Sequence, residues 1–302
     1  MKIGVIVPQG WTGEYKGWSP VDAWTRTRDV AWQAEALGFE SIWLFDHFHT
    51  VPKPTLEITF EAFTALAALA AETNRVRVGH VVLCAAYRNP ALTAKMISTL
   101  DAISGGRAEL GLGAGWKRDE WRAYGYGFPD APERLAMLKD TLEIVTVMMT
   151  DDHASHSGEH FSIERAINVP KPVQQPRVPI MVGGNGPNVT WRLAARYADE
   201  LNVDGMTPTE LREALPTIRR RCEEIDRDPA TLDVSVHVWW QGLADMTRER
   251  RAEMVAQYRE LGASRVIALI RDSADSDDAL ASWAEDARSG GADLLDSHAV
   301  GA

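Results

Sequence analysis

Asp46-His47 stands directly after the apolar run Ile42-Trp43-Leu44-Phe45. An imidazole titrates near neutral pH, so it suits proton transfer or hydrogen-bond donation to a developing anion. Asp46 would orient that ring or bind a ligand itself. The bland alternative has Asp46 capping the next segment and His47 satisfying a loop carbonyl. A second candidate is Val182-Gly183-Gly184-Asn185-Gly186-Pro187, where an apolar run meets a helical stretch. Glycines let backbone N–H groups approach an anion, and a helix N-terminus adds a favourable dipole, so a phosphate fits there; a tight turn uses the same residues. The spacing is not that of the nucleotide P-loop, and no GxGxxG opens a dinucleotide unit. Gly111-Leu112-Gly113-Ala114-Gly115 either leaves room for a flat ligand or fits small residues into a crowded interior.

Other chemistry is weakly supported. His153, His156 and His160 lie in the polar, non-periodic stretch DDHASHSGEH, which reads as a solvated insertion, and no metal is expected. Trp116, Trp121, Trp239 and Trp240 line a cavity for a ring or fill core. No GxSxG elbow, HExxH or paired Cys–His signature supports a hydrolase. The net charge of -11 works against nucleic acid and anionic membranes as partners. Two cysteines, Cys84 and Cys222, are too few for a disulfide framework and point to a reducing compartment. The first apolar run, Ile3 to Val7, is too short for a signal sequence or a membrane span, so a cytoplasmic protein is expected.

These residues need elements to position them. Short β-branched runs begin near residues 2, 41, 75, 107, 178, 199, 232 and 265, and each precedes a stretch with helical spacing. Gly38 supplies one helix stop, and Pro90 with Gly105-Gly106 brackets another helix. Eight βα units argue for a parallel sheet closed as a (β/α)8 barrel; an open doubly wound sheet is the alternative, because alternation alone does not prove closure. One domain over 1–302 is expected, since no linker or repeat divides the chain. The stretches 116–131 and 151–177 read as insertions on the C-terminal face of the strands, where barrel enzymes build substrate loops. Asp46-His47, at the end of the second strand, falls on that face.

The segments GFESIWLFDHF (38–48), YRNPALTAKMISTLDAISGGRAELGLGAGW (87–116), PKPVQQPRVPIMVGGNG (170–186) and ADELN (198–202) resemble the bacterial luciferase-like family of flavin and deazaflavin enzymes. The similarity is greatest to its coenzyme F420-dependent oxidoreductases. The resemblance implies a (β/α)8 barrel with F420 across the strand-end mouth, or FMN in the alternative of a two-component monooxygenase served by a partner reductase. A third reading is a cofactor-binding member without catalysis. It implies His47 as the active-site histidine and Asp46 as a deazaflavin contact. Val81-Val82 matches the bulge with a non-prolyl cis peptide that supports the ring, and Cys84 a ring contact. Ala114, Gly115, Asp119, Gly183, Gly184, Gly186 and Pro187 match cofactor-contacting positions, although Asp119 replaces an asparagine. Trp116 stands where the family's glucose-6-phosphate dehydrogenase has a glutamate, and Thr207 where that enzyme has a phosphate-binding lysine. This implies a small apolar substrate, with Trp116 and Trp43 in its pocket, rather than a sugar phosphate. Lys117, Arg118 and Arg122 either attract the cofactor's anionic tail or are ordinary loop charges. A homodimer is the family expectation.

Overall fold

In the computed structural model, which describes residues 1–295 and only the backbone of Trp240, strands and helices alternate from the start. β1 (Lys2–Ile6) leads to α1 (Pro20–Leu37), β2 (Ser41–Leu44) to α2 (Ala62–Glu72), and β3 (Arg77–His80) with its short continuation β4 (Leu83–Cys84) to α3 (Pro90–Ser104). β5 (Ala108–Gly113) is followed by α4 (Arg118–Ala123), α5 (Ala131–Thr150) and the antiparallel hairpin of β6 (Ala154–Ser157) and β7 (Ser162–Ala166). Then come β8 (Ile180–Gly183), α6 (Thr190–Tyr197), β9 (Glu200–Asp204), α7 (Pro208–Glu223) and β10 (Asp233–Val238). α8 (Trp240–Ala244), α9 (Arg248–Glu260), β11 (Arg265–Leu269) and α10 (Asp277–Ser289) complete the order.

The parallel order β3-β2-β1-β11-β10-β9-β8-β5 closes when β5 pairs back onto β3, with Val78 opposite Ala108 and Gly79 opposite Glu109. The sheet is therefore the expected barrel and not the open alternative. Local chemistry sets the helix ends: Ser19 caps α1 and Gly38 ends it in the left-handed region, while Asn89 caps α3 ahead of Pro90. Among the described residues no helix is long and apolar enough to cross a membrane.

Strand side chains alternate between two surroundings. Ile3, Val5, Ile42, Leu44, Val234 and Val236 join the large core shared with the helices, whereas Ile6, Trp43, Ile267 and Leu269 fill the barrel interior. At the strand starts that interior is polar. The Arg265 guanidinium lies 2.7 Å from Glu109, 3.0 Å from Glu200 and 3.2 Å from Glu40, and Arg77 adds a second cation to Glu109. Burial, opposed by Arg265 and reinforced by Glu109, raises the Glu200 carboxyl to about 7. Outside the barrel, at the end of β3, fully buried His80 packs on Phe63 of α2 at 4.5 Å; burial pushes its imidazole down to about 4.

Two expectations need correction. Trp43 is not a pocket residue: it is fully buried between the polar floor and the strand ends, with its Nε1 on Ser41 Oγ at 2.8 Å and Arg265 over its ring at 5.1 Å. Its strand position points it inward one step too deep to reach the rim. Glycines make the room, since a Cβ on Gly79 would fall 2.4 Å from Trp43 Cζ3 and one on Gly4 2.6 Å from its Nε1. Nor do both insertions stand on the C-terminal face. Segment 151–177 follows a helix and precedes β8, so it emerges at the strand starts; there Gln174 binds the Ala108 carbonyl at 2.8 Å and Arg77 at 2.9 Å. Only 116–131 covers the mouth.

Candidate active site

At the strand ends opens a cavity of about 370 Å³. The end of β2 delivers Phe45, Asp46 and His47 to it, and the loop after β1 brings Trp11. The His47 ring stacks on Trp11, 4.3 Å between centroids and 4° from parallel. Its Nδ1 lies 2.7 Å from Glu120 Oε2. Glu120, on α4, is fully buried and also accepts the Phe48 N–H at 2.6 Å and the Tyr87 hydroxyl at 3.2 Å. Burial alone would raise this carboxyl, but the bonds from His47 and Phe48 outweigh it and hold it below its usual range. Tyr87 is pushed up, first by burial and then by Cys84 and Glu120, so it stays a donor.

Asp46 is buried and fully engaged. Arg88 grips both its oxygens at 2.8 and 2.9 Å, and the Cys84 N–H donates to it at 2.8 Å. The pair that is adjacent in sequence is thus split in space: the carboxylate ties β2 to β4, while the imidazole faces the cavity with another partner. Cys84 also lines the cavity, its thiol pushed up by burial and then by Asp46, which disfavours the thiolate.

Val81 and Val82, joined by a cis peptide bond, form another wall. Val82 nests between two glycines: a Cβ on Gly113 would come within 2.7 Å of it, and one on Gly183 within 2.9 Å. Gly183, Gly184 and Asn185 line the cavity beside Thr190, the first residue of α6, whose N-terminus has no side-chain cap. Ala114, Gly115, Trp116 and Lys117 complete this side, Trp116 being 62% exposed at the rim. A glycine-walled slot leading to a helix start without a side-chain cap fits a flat ring that carries a phosphate.

Three expected contacts lie elsewhere. Asp119 does not line the cavity; its half-exposed carboxylate binds Lys117 Nζ at 2.9 and 3.0 Å, because helix geometry turns Glu120 inward and its neighbour out. Gly186 and Pro187 follow in the turn, outside the lining although Gly186 packs against Thr190; the Gly186 carbonyl accepts from the Trp191 N–H and the Pro187 carbonyl from Arg221. Arg118 lies over Phe128 and Arg122 is exposed. The residues that sequence reasoning missed are Trp11, Glu120, Asn202, Asp204 and His237, all of which contribute to the site. Their sequence signals were position in or after strands, for Asn202 the motif ADELN, and for Glu120 a carboxylate within the aromatic loop. Of the three histidines in the hairpin region, His156 stands 3.5 Å from Glu143 and 4.0 Å from Asp140, donor atoms that lie within 4.8 Å of one another, and none of these three residues lines the cavity.

Closed βα barrels build their active sites on the strand-end rim, where this chain gathers an imidazole and a shaped cavity. Within that class the chain belongs to the luciferase-like monooxygenase family, whose sequence profile matches residues 1–301. An F420-dependent glucose-6-phosphate dehydrogenase of Kineococcus radiotolerans is 33% identical over 216 residues, 70% of this chain and 62% of that protein. The chain thus matches less than two thirds of that relative's length. An F420-dependent secondary alcohol dehydrogenase, solved with an F420–acetone adduct, superposes with a TM-score of 0.78 at 19% identity, over 96% of this chain and 98% of that one. The monooxygenase RslO1 from Streptomyces bottropensis does so with a TM-score of 0.75 at 19% identity, over 94% and 98%. Both share the fold.

Proposed function

We propose that this chain is an F420-dependent oxidoreductase that acts on a small, uncharged organic substrate. The observation that carries the reading is His47, held by buried Glu120 and stacked on Trp11, in a cavity whose other walls are the Val81-Val82 bulge and the glycine turn. The names of the relatives support the choice of cofactor. When bound, the deazaflavin supplies two-electron hydride chemistry at C5.

The residues of the chain supply the rest. An ionised Glu120 only accepts, so the proton of neutral His47 sits on Nδ1 and Nε2 keeps its lone pair for the cavity. Nε2 then takes the proton of a substrate hydroxyl during oxidation, and the imidazolium returns it during reduction. Phe45, Trp11 and Trp239 give that exchange an apolar surround. Gly183, Gly184 and Asn185 with the start of α6 would hold the phosphate, and Val82 would back the ring. A sugar phosphate is disfavoured, because Thr207 is spent on a reciprocal cap with Glu210 and offers no cation.

Side-by-side fluorescence titrations with F420 and FMN test the cofactor. Preference for F420 supports the reading, and preference for FMN replaces it with the oxygen-using alternative. His47→Ala should lower turnover far more than F420 affinity; equal turnover removes His47 from proton transfer. The same reading takes the protein to be cytoplasmic and homodimeric, the latter open to sedimentation analysis.

A further inference from the structure

A second histidine–carboxylate pair faces the same cavity. His237 Nδ1, on β10, lies 3.0 Å from Asp204 Oδ1 at the end of β9. The His237 side chain is 4% exposed, and its Nε2 is buried with no hydrogen-bond partner. Asp204 is itself fixed by Asn185, which receives its backbone N–H at 2.8 Å and donates to its carbonyl at 2.7 Å. The glycine turn therefore sets the position of the pair. Because a carboxylate can only accept, Nδ1 carries the proton, and in the neutral imidazole Nε2 presents a lone pair. Buried acceptors are normally satisfied, and one left open beside a cavity is shaped for a ligand donor.

Where that lone pair sits is informative. His237 and Trp239 line not only the first cavity but also a neighbouring one of about 440 Å³, walled further out by Met246, Met254 and Tyr258, with Arg250 and Glu253 near its edge. The two residues are common to the linings of both cavities.

We propose that the substrate spans both cavities and that His237 Nε2 accepts a hydrogen bond from a second hydroxyl or amine on it, away from the reacting carbon. The ligand class is an alcohol, or the matching carbonyl compound, with an apolar body and one further donor group. The reacting end of this inference rests on the reading above; the His237 contact does not. Asp204 is a positioning residue, acting only through the tautomer of His237.

Long-range ¹H–¹⁵N spectra of the histidine-labelled full chain, alone and then with F420, test it directly. His237 is assigned from the signal lost in His237→Gln. The expected result is a protonated Nδ1 and a lone-pair Nε2, a preference that Asp204→Ala removes. Titration with cyclohexane-1,4-diol should move Nε2 toward its hydrogen-bonded shift, cyclohexanol should not, and the diol should bind about tenfold more tightly. A lone pair on Nδ1, or an Nε2 signal that the diol leaves unmoved, overturns the proposal. The outcomes separate cleanly: F420 binding with a silent Nε2 discards this inference and keeps the oxidoreductase reading, whereas a responsive Nε2 without F420 binding does the reverse.

Discussion

Replacing Glu120 by glutamine keeps its shape and removes its charge. In the parent the carboxylate receives His47 Nδ1 at 2.7 Å, the Phe48 N–H at 2.6 Å and the Tyr87 hydroxyl at 3.2 Å. An amide has one oxygen to offer. If that oxygen keeps the Phe48 N–H, the NH₂ group meets Nδ1 and donates to it, so the imidazole proton moves to Nε2. The lone pair that should accept the substrate proton is then gone. Positioned acid–base groups contribute roughly 10²- to 10⁴-fold, about 3–5 kcal/mol of barrier, and Glu120→Gln should lose most of this in kcat/KM. The equilibrium constant belongs to the reactants, so the loss must be equal in oxidation and reduction. F420 affinity should change by less than about tenfold, because Glu120 touches His47 and not the glycine wall. Loss of a charge-assisted bond also lowers unfolding stability by roughly 1.5–3 kcal/mol. Initial rates in both directions, with ¹⁵N-histidine spectra for the tautomer, form the assay. Turnover within about threefold of the parent, with Nδ1 still protonated, would refute the argument.

Three further predictions concern buried charge and pH. The folded His80 imidazole is held near 4 against an ordinary 6.5, so the unfolded chain takes up a proton that the folded one refuses, and stability falls as pH drops through that window by about 3 kcal/mol. His80→Leu should remove that slope from urea midpoints measured between pH 4 and 7; an unchanged slope counts against it. Glu200 works in the opposite sense: raised from 4.5 to about 7, it contributes stability below its unfolded value that is lost as pH rises through 7. Relative to the parent, Glu200→Gln should therefore gain stability between pH 5 and 8, and a flat difference curve would contradict the raised carboxyl. Arg265→Met strands Glu40, Glu109 and Glu200 without their shared cation and should cost about 3–5 kcal/mol in denaturation at pH 8; a cost under 1 kcal/mol would show the floor to be well solvated.

The architecture was legible because each βα unit carries its own local signals, such as the Asn89-Pro90 start and the Gly105 stop. The address of His47 followed, since the end of an apolar run in a parallel barrel is the active face. Its partner was not legible. Asp46 is adjacent in the chain, but the imidazole pairs with Glu120, 73 positions on, and only the folding of α4 over the mouth chooses that carboxylate over Asp119. Asp204 and His237, 33 positions apart, meet because β9 and β10 are neighbours, with the two residues directly opposite in register. Strand pairing is a long-range outcome that residue types do not announce. The misplaced hairpin has a simpler cause: 151–177, like the first insertion, is long and without helical or strand period, and which face it occupies depends on whether a strand or a helix precedes it.

The alternation along β10 has a consequence for how this barrel tolerates change in length. Ser235 reaches the polar layer through Asn202 at 2.8 Å, and His237 and Trp239 reach the two chambers, while Val234, Val236 and Val238 face the helices. The polar floor and the rim cavity are thus read out from one strand by its odd-numbered positions, while Val238 lines only the second cavity. Deleting a single residue before Ser235 would not shorten the strand so much as change its parity, sending valines into the active site and the histidine into the apolar shell. In a closed sheet the neighbours cannot slide to restore the match, so substitutions here are local events and indels are frameshifts in three dimensions.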